Sequence, residues 1–311
     1  MRVVFFGTPA FAVPSLRTLL EAHDVALVVS QPDRPAGRGM ALRRSPVAVL
    51  ADEAGVAVQT PARLGSAEVA AISEAGADVL VVAAYGRILP VDLLRAAPHG
   101  GINVHASLLP RWRGASPVAA AILAGDKVTG VSIMQMEVGL DSGPVLLQRT
   151  TSIFETDTAG ELTARLAGLG AEALAAGLQE VEAGTAAFEP QPVDGVTYAP
   201  LVKKSDGDLA WDVTTGEIDR AIRAYEPWPG VRMPLGGEAV RIVLGRPVPH
   251  WFVDGKGMAA PGTVVEVRSD GIAVMAGDAP FLVQRLQPPG KKPMHATAYA
   301  RGRRDLQVAS G

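Results

Sequence analysis

The sequence predicts an α/β fold, a doubly wound parallel sheet, followed by a second, smaller β domain. Three observations lead there. In the first half, short apolar runs recur between helix-like segments, the pattern of strands buried on both faces. The stretch "FEPQPVDGVTYAPLVKKSDGD" is rich in Pro, Gly and charge and shows neither the helical nor the strand period. Beyond it, short β-like runs are separated by turns containing Gly and Pro.

In chain order, Arg2–Phe6 reads as a buried strand and Pro14–Ala22 as the helix after it. Asp24–Ser30 is a second strand, Pro46–Ala54 a helix and Val56–Thr60 a short strand. A helix over Ser66–Ala75 leads to the β-branched strand Asp78–Ala84. Proline opens a short helix over Pro90–Ala96, and Gly101–His105 is the next strand. Ser116 caps a helix running to Gly125 with Pro117 at its first position. Strands over Val131–Met136 and Val145–Thr151 follow, and Asp157 or Thr158 caps a long Ala/Leu helix to about Ala183. After the interruption come a helix over Thr215–Ala224 and strands over Ala239–Leu244, Thr263–Arg268, Gly271–Met275 and Phe281–Leu286. The expected organisation is a catalytic domain over 1–185, an extended linker over 186–207, and a small OB-like barrel over 208–311.

Composition narrows the function. Of 311 residues, 48% are hydrophobic and 20% charged, which excludes a disordered chain. With no cysteine, disulfides, thiolate metal sites and a cysteine nucleophile are excluded. No apolar run approaches the roughly 18 residues of a membrane span, and the N-terminus fits a signal peptide poorly. A cytoplasmic location, no membrane partner and no metal are expected. A net charge of −3 carries no global nucleic-acid signature. Yet Arg285 to Arg304, including Lys291 and Lys292, holds six basic residues and no acid. A polyanion contact and a merely solvated basic stretch both account for it.

The polar residues of one strand suggest chemistry. Asn103 and His105 are two apart, so they share a face, and they stand where the strand should end. A doubly wound sheet binds ligands beyond its carboxyl edge. Asp141, in "MEVGLDSGPVL", follows the strand Val131–Met136; if that strand is a neighbour, its loop emerges at the same edge. An amide donor for a developing oxyanion, an imidazole for proton transfer and a carboxylate to orient it suit acyl transfer to an amine. A structural Asn–His pair and a turn-forming Asp fit the same spacing. Neither a Gly-x-Ser-x-Gly elbow nor a nucleotide-binding glycine loop is present, which disfavours a covalent acyl-enzyme and argues against NAD or ATP.

The loop "QPDRPAGRGMALRRSPV", Gln31 to Val47, is long for a strand-to-helix connection. Its Arg34, Arg38, Arg43 and Arg44 could reach an RNA acceptor stem, or belong to a solvated loop.

The blocks "FFGTPAFAVPSL", "QPDRPAGRG", "AAYGRILP", "INVHASLLPRWRGASPV", "MEVGLDSGPVL" and "LQPPGKKPM" occur in this order over nearly the whole chain. Together they resemble the methionyl-tRNA formyltransferases, within the 10-formyltetrahydrofolate-dependent formyltransferase family. The resemblance implies a Rossmann-like catalytic domain in which Asn103, His105 and Asp141 form the catalytic trio. It implies that Ser107, Leu108, Leu109 and Pro110 line the folate site, that 10-formyltetrahydrofolate is the formyl donor, and that methionyl initiator tRNA is the acceptor. The loop after the second strand, with Arg38 singled out, and the C-terminal domain would contact tRNA. Lysines common in this family's loop are replaced here by Met40 and Ala41, so the contacts there differ in detail. A monomer is expected. The alternatives are a formyltransferase acting on a nucleotide or amino-sugar amine, a formyltetrahydrofolate hydrolase, and a non-enzymatic RNA-binding protein.

Overall fold

The computed structural model describes residues 1–36, 41–248, 259–301, 303 and 306. The chain divides into two compact units. The first comprises Met1–Val118, Lys127–Ile153 and Glu161–Pro200; the second comprises Ala119–Asp126, Phe154–Gly160 and Leu201–Gly311.

The first unit is built on strands β1 (Arg2–Gly7), β2 (Asp24–Val29), β5 (Val58–Gln59), β6 (Val79–Ala83), β7 (Gly101–His105), β9 (Val128–Gln135) and β10 (Val145–Ser152). Shorter pieces are β3 (Arg34–Ala36), β4 (Ala41–Arg43), β8 (Arg113–Gly114) and β11 (Tyr198–Ala199). Among the described residues the main sheet has the order β10-β9-β7-β6-β1-β2-β5. From β7 to β5 every pairing is parallel. Val3 to Phe6 and Val79 to Ala83 are almost wholly buried, which is why these strands read as continuous apolar runs.

The expected all-parallel sheet needs correction at one end. β9 runs antiparallel to β7, and β10 antiparallel to β9. Only nine residues join β9 to β10, too few for the dozen or more of a parallel crossover, so they form a hairpin. The sheet is therefore mainly parallel.

Helices α1 (Val13–Ala22), α2 (Pro46–Glu53), α3 (Ser66–Ser73), α4 (Val91–Leu94) and, for nearly all its length, α6 (Ala159–Glu182) belong to this unit, whereas most of α5 (Pro117–Ala124) belongs to the second. α2 begins where Ser45 caps it, its hydroxyl accepting from Ala48 N at 3.0 Å. α6 buries Leu162, Leu166, Leu174 and Leu178 along one stripe with small residues between them. A Cβ at Gly170 would come within 2.8 Å of Val104 Cγ1, so glycine lets this helix lie close on β7.

The second unit contains α7 (Thr215–Ala224), strands β12 (Val231–Leu235), β13 (Glu238–Pro247), β14 (Val264–Arg268), β15 (Gly271–Met275), β16 (Pro280–Gln287) and β17 (Met294–His295), and α8 (Ala296–Ala300). α7 opens with a capping box: Glu217 Oε2 accepts from Thr214 N at 2.8 Å, and Thr214 Oγ1 accepts from Glu217 N at 3.2 Å. The strands form an antiparallel sheet in the order β12-β13-β16-β15-β14, with β17 on β16. This confirms a second β domain. β12 was not among the expected strands; it carries Pro234 and ends the sheet path, where proline's missing N–H is tolerated. Among the described residues, no helix is long and apolar enough to cross a membrane.

Candidate active site

Val104 faces α6, so by strand alternation Asn103 and His105 project from the other face of β7. Both are buried, Asn103 at 9% and His105 at 6% exposure. His105 Nε2 lies 2.9 Å from the Trp112 carbonyl oxygen. A carbonyl only accepts, so in this contact Nε2 carries the hydrogen. On the other side of the ring, Asp141 Oδ2 is 3.7 Å from Nδ1. The same Oδ2 accepts from Gly114 N at 2.8 Å. Thus a stretch of sequence and a loop some thirty residues on clasp the imidazole from both sides.

Asp141 arrives by an unexpected route. Gln135, the end of β9, lies opposite Ile102, whereas His105 lies opposite Ser132. The β9 loop therefore leaves near the amino end of β7, about 10 Å of strand away from His105. It returns along the sheet to reach the imidazole, instead of emerging at the carboxyl edge as expected. The antiparallel sense of β9 is the reason. Asp141 adopts φ 49° and Trp112 φ 61°, left-handed conformations that cost non-glycine residues about 1–3 kcal/mol and are kept where surroundings enforce them.

Those surroundings include residues 186–200. Glu189 and Val145 exchange backbone hydrogen bonds of 2.8 and 2.9 Å. Two residues later, Gln191 Nε2 donates to Asp141 O at 2.8 Å and to Gly143 O at 2.7 Å. Arg113 Nε and Nη2 donate to Gln191 Oε1 at 3.1 and 2.7 Å. β11 pairs in parallel with β8 and holds the Arg113–Gly114 segment in place. At Gly114, φ is 114° and a Cβ would lie 2.7 Å from Ala199 O, so this crossing demands glycine.

The turn after β7 is tied down from below. Ser132 Oγ donates to Ser107 O at 2.7 Å and accepts from Leu109 N at 3.0 Å and Gln148 Nε2 at 2.8 Å. Those three bonds use the full capacity of a hydroxyl. Gln148 Nε2 also reaches Leu109 O at 2.9 Å, and Ser107 Oγ donates to Arg111 O at 2.6 Å. Ser107 and Leu109 are buried, whereas Leu108 and Pro110 keep exposed surface.

The arginine loop carries an unforeseen hairpin: β3 and β4 pair antiparallel with Arg34 opposite Arg43. Arg34 donates to Gln31 Oε1, and Gln31 Nε2 donates to Tyr85 O at 2.8 Å. Arg44 grips Asp52 with both ends of its guanidinium and holds that carboxyl below the ordinary range. Arg38 lies outside the described residues. A cavity of about 330 Å³ opens beside this hairpin at the carboxyl ends of β1, β2 and β6, lined by Thr8, Gln31, Arg34, Arg43, Arg44 and Tyr85, among others. Burial pushes the Tyr85 hydroxyl above its usual pKa. In the second unit, Lys291 and Lys292 are exposed in the turn between β16 and β17. Among the described residues, no cluster of His, Asp or Glu could hold a metal ion.

Sequence reasoning missed the Trp112 carbonyl, Ser132, Gln148 and Gln191. Ser132 left a signal, a lone hydroxyl inside an apolar strand. Gln191 left none, being fifty residues from Asp141 in a stretch without periodicity.

Comparison with known proteins adds a further finding. Residues 1–178 match the formyl transferase family, and residues 201–304 match the formyl transferase C-terminal domain family. The chain is 47% identical to the methionyl-tRNA formyltransferase of Xanthomonas axonopodis pv. citri (strain 306), covering 98% of this chain and 99% of that one. It is 46% identical to that of Gluconobacter oxydans (strain 621H), over 97% of each. Among solved structures, the N-formyltransferase of Helicobacter canadensis, in complex with folinic acid and dTDP-3-aminofucose, shares the fold with a TM-score of 0.67. The identity is 18%, over 92% of this chain and 98% of that one. HypX of Aquifex aeolicus in complex with tetrahydrofolic acid aligns over 96% of this chain and 47% of its own length, with a TM-score of 0.62 and 17% identity.

Proposed function

The chain belongs to the formyl transferase family, among the methionyl-tRNA formyltransferases, and on that premise we propose that it transfers a formyl group from 10-formyltetrahydrofolate to the α-amine of methionyl initiator tRNA. The observation that carries the mechanism is the clasp on His105: Trp112 O at 2.9 Å on Nε2 and Asp141 Oδ2 at 3.7 Å from Nδ1.

Bound 10-formyltetrahydrofolate supplies an activated formyl carbon. The turn after β7 suits it: Leu108 and Pro110 offer apolar surface beside backbone amides, the mixture a flat, polar-edged pterin needs. Buried Ser107 and Leu109 shape this wall from behind. The neutral methionyl amine attacks the formyl carbon. The Asn103 side-chain amide donates to the formyl oxygen as negative charge develops there. His105 takes the ammonium proton at Nδ1, because Nε2 is already protonated toward Trp112 O. The imidazolium then has one N–H facing a carbonyl and the other facing the Asp141 carboxylate. His105 passes that proton to the folate nitrogen as its bond to the formyl carbon breaks, which balances the exchange: the amine gains the formyl group and the folate nitrogen gains hydrogen.

Acceptor binding falls to the basic elements. We assign Arg34, Arg43 and Arg44, with Arg38, to the acceptor stem next to the cavity at the sheet edge, and Lys291 and Lys292 to backbone phosphates. The bulged antiparallel sheet of the second unit is read as an OB-like barrel, a fold suited to tracking a nucleic-acid backbone. We read 1–185 as the catalytic domain and 208–311 as the tRNA-binding domain, joined by 186–207, whose residues up to Pro200 pack into the first unit, and infer a cytoplasmic monomer. The test is formylation of methionyl initiator tRNA against methionyl elongator tRNA with labelled formyl donor. Strong preference for the initiator supports the assignment; equal rates, or transfer only to a nucleotide or amino sugar, overturn it.

A further inference from the structure

We propose that Gln191 is a positioning residue for Asp141, and that Arg113 orients Gln191 for that purpose. The inference rests on the reading of Asp141 as a catalytic group. Asp141 sits in a loop that turns back across the sheet, and its φ of 49° lies in the left-handed region that L side chains rarely adopt. Its side chain is anchored by Gly114 N, but that single bond does not set the height of the loop.

Gln191 does. Its two N–H groups meet two carbonyls of the same loop, Asp141 O and Gly143 O, at 2.8 and 2.7 Å. Its amide orientation follows from chemistry, because both carbonyls only accept and the Arg113 guanidinium only donates. Arg113 uses two nitrogens on Oε1, so the amide cannot rotate without losing four hydrogen bonds. Glutamate at this position would present lone pairs to both carbonyls, and asparagine would fall short by a methylene. Gly143 adds a steric stop: a Cβ there would lie 2.0 Å from Gln135 O, so the loop is pressed against the end of β9 at the same residue whose carbonyl Gln191 holds. Arg113 therefore acts through Gln191, and Gln191 through Asp141, on the imidazole of His105.

A merely structural role would cost the same whatever stood at 141. Positioning would not, because displacing a residue that no longer contributes changes nothing. The experiment measures kcat and both KM values for the full-length wild type, Gln191→Met, Asp141→Asn and the double variant. Gln191→Met is expected to lower kcat about tenfold or more, with both KM values within about twofold, and to cost less than about twofold on the Asp141→Asn background. Arg113→Lys, which removes the fork and keeps the amide, provides a milder second arm should Gln191→Met fail to fold. Its smaller kcat loss should likewise vanish on Asp141→Asn. Equal losses on both backgrounds, or a raised KM at unchanged kcat, overturn the positioning role alone. Full activity of Asp141→Asn overturns it together with the catalytic reading beneath it.

Discussion

Replacing Asp141 with asparagine isolates its charge. Asparagine has nearly the same shape and keeps an oxygen that can accept from Gly114 N, now 2.8 Å from Asp141 Oδ2, so the loop keeps its anchor. What is lost is a unit negative charge 3.7 Å from His105 Nδ1. At that distance, Coulomb's law yields about 1.1 kcal/mol at the dielectric of water and about 4.5 kcal/mol at an effective dielectric of 20. His105 is 6% exposed and the Asp141 side chain 19%, so the pair lies between these limits. A midpoint of about 2.8 kcal/mol is about a hundredfold in rate when the charge acts in the transition state. Single-turnover formylation at saturating donor and acceptor should therefore slow by about two decades, with KM values little changed. The melting temperature should move by no more than about 2 °C, as for a change well below 1 kcal/mol. A kcat within about fivefold of wild type would refute the proton-transfer argument, because it would place the interaction at or below its value in bulk water.

Two further predictions test the supports of the site. Ser132→Ala removes a hydroxyl with three partners and leaves Leu109 N and Ser107 O without it. At about 1–3 kcal/mol for each buried group left unpaired, the urea midpoint should fall by the equivalent of about 3 kcal/mol with an unchanged m value. The KM for the formyl donor should rise as the turn loosens; a loss below about 1 kcal/mol would mean that the turn repairs itself. In the second unit, Lys291→Ala with Lys292→Ala should weaken tRNA binding and lower the salt dependence of log K by about 2, about one for each phosphate contact removed. An unchanged slope would show that neither lysine meets a phosphate.

The chain announces much of this fold because burial imposes composition locally. Val79–Ala83 can only be apolar when both faces of a strand are covered, and Thr214 with Glu217 caps α7 through neighbours three apart. Asn103 and His105 were legible for the same reason: two polar side chains on one face of an apolar strand need a purpose, and alternation places them together. The relations between distant segments left no comparable trace. The short connection to β10 implies a hairpin, but nothing within Val128–Gln135 encodes that it meets β7 or in which direction, since that pairing depends on where the chain returns. That direction sent the Asp141 loop back over the sheet and made it dependent on Gln191. It also supplied a use for Arg113, whose guanidinium grips a glutamine side chain seventy-eight residues away. Local periodicity specifies which residues are buried and which groups a strand presents; the partners those groups meet are a property of packing, and packing is long-range.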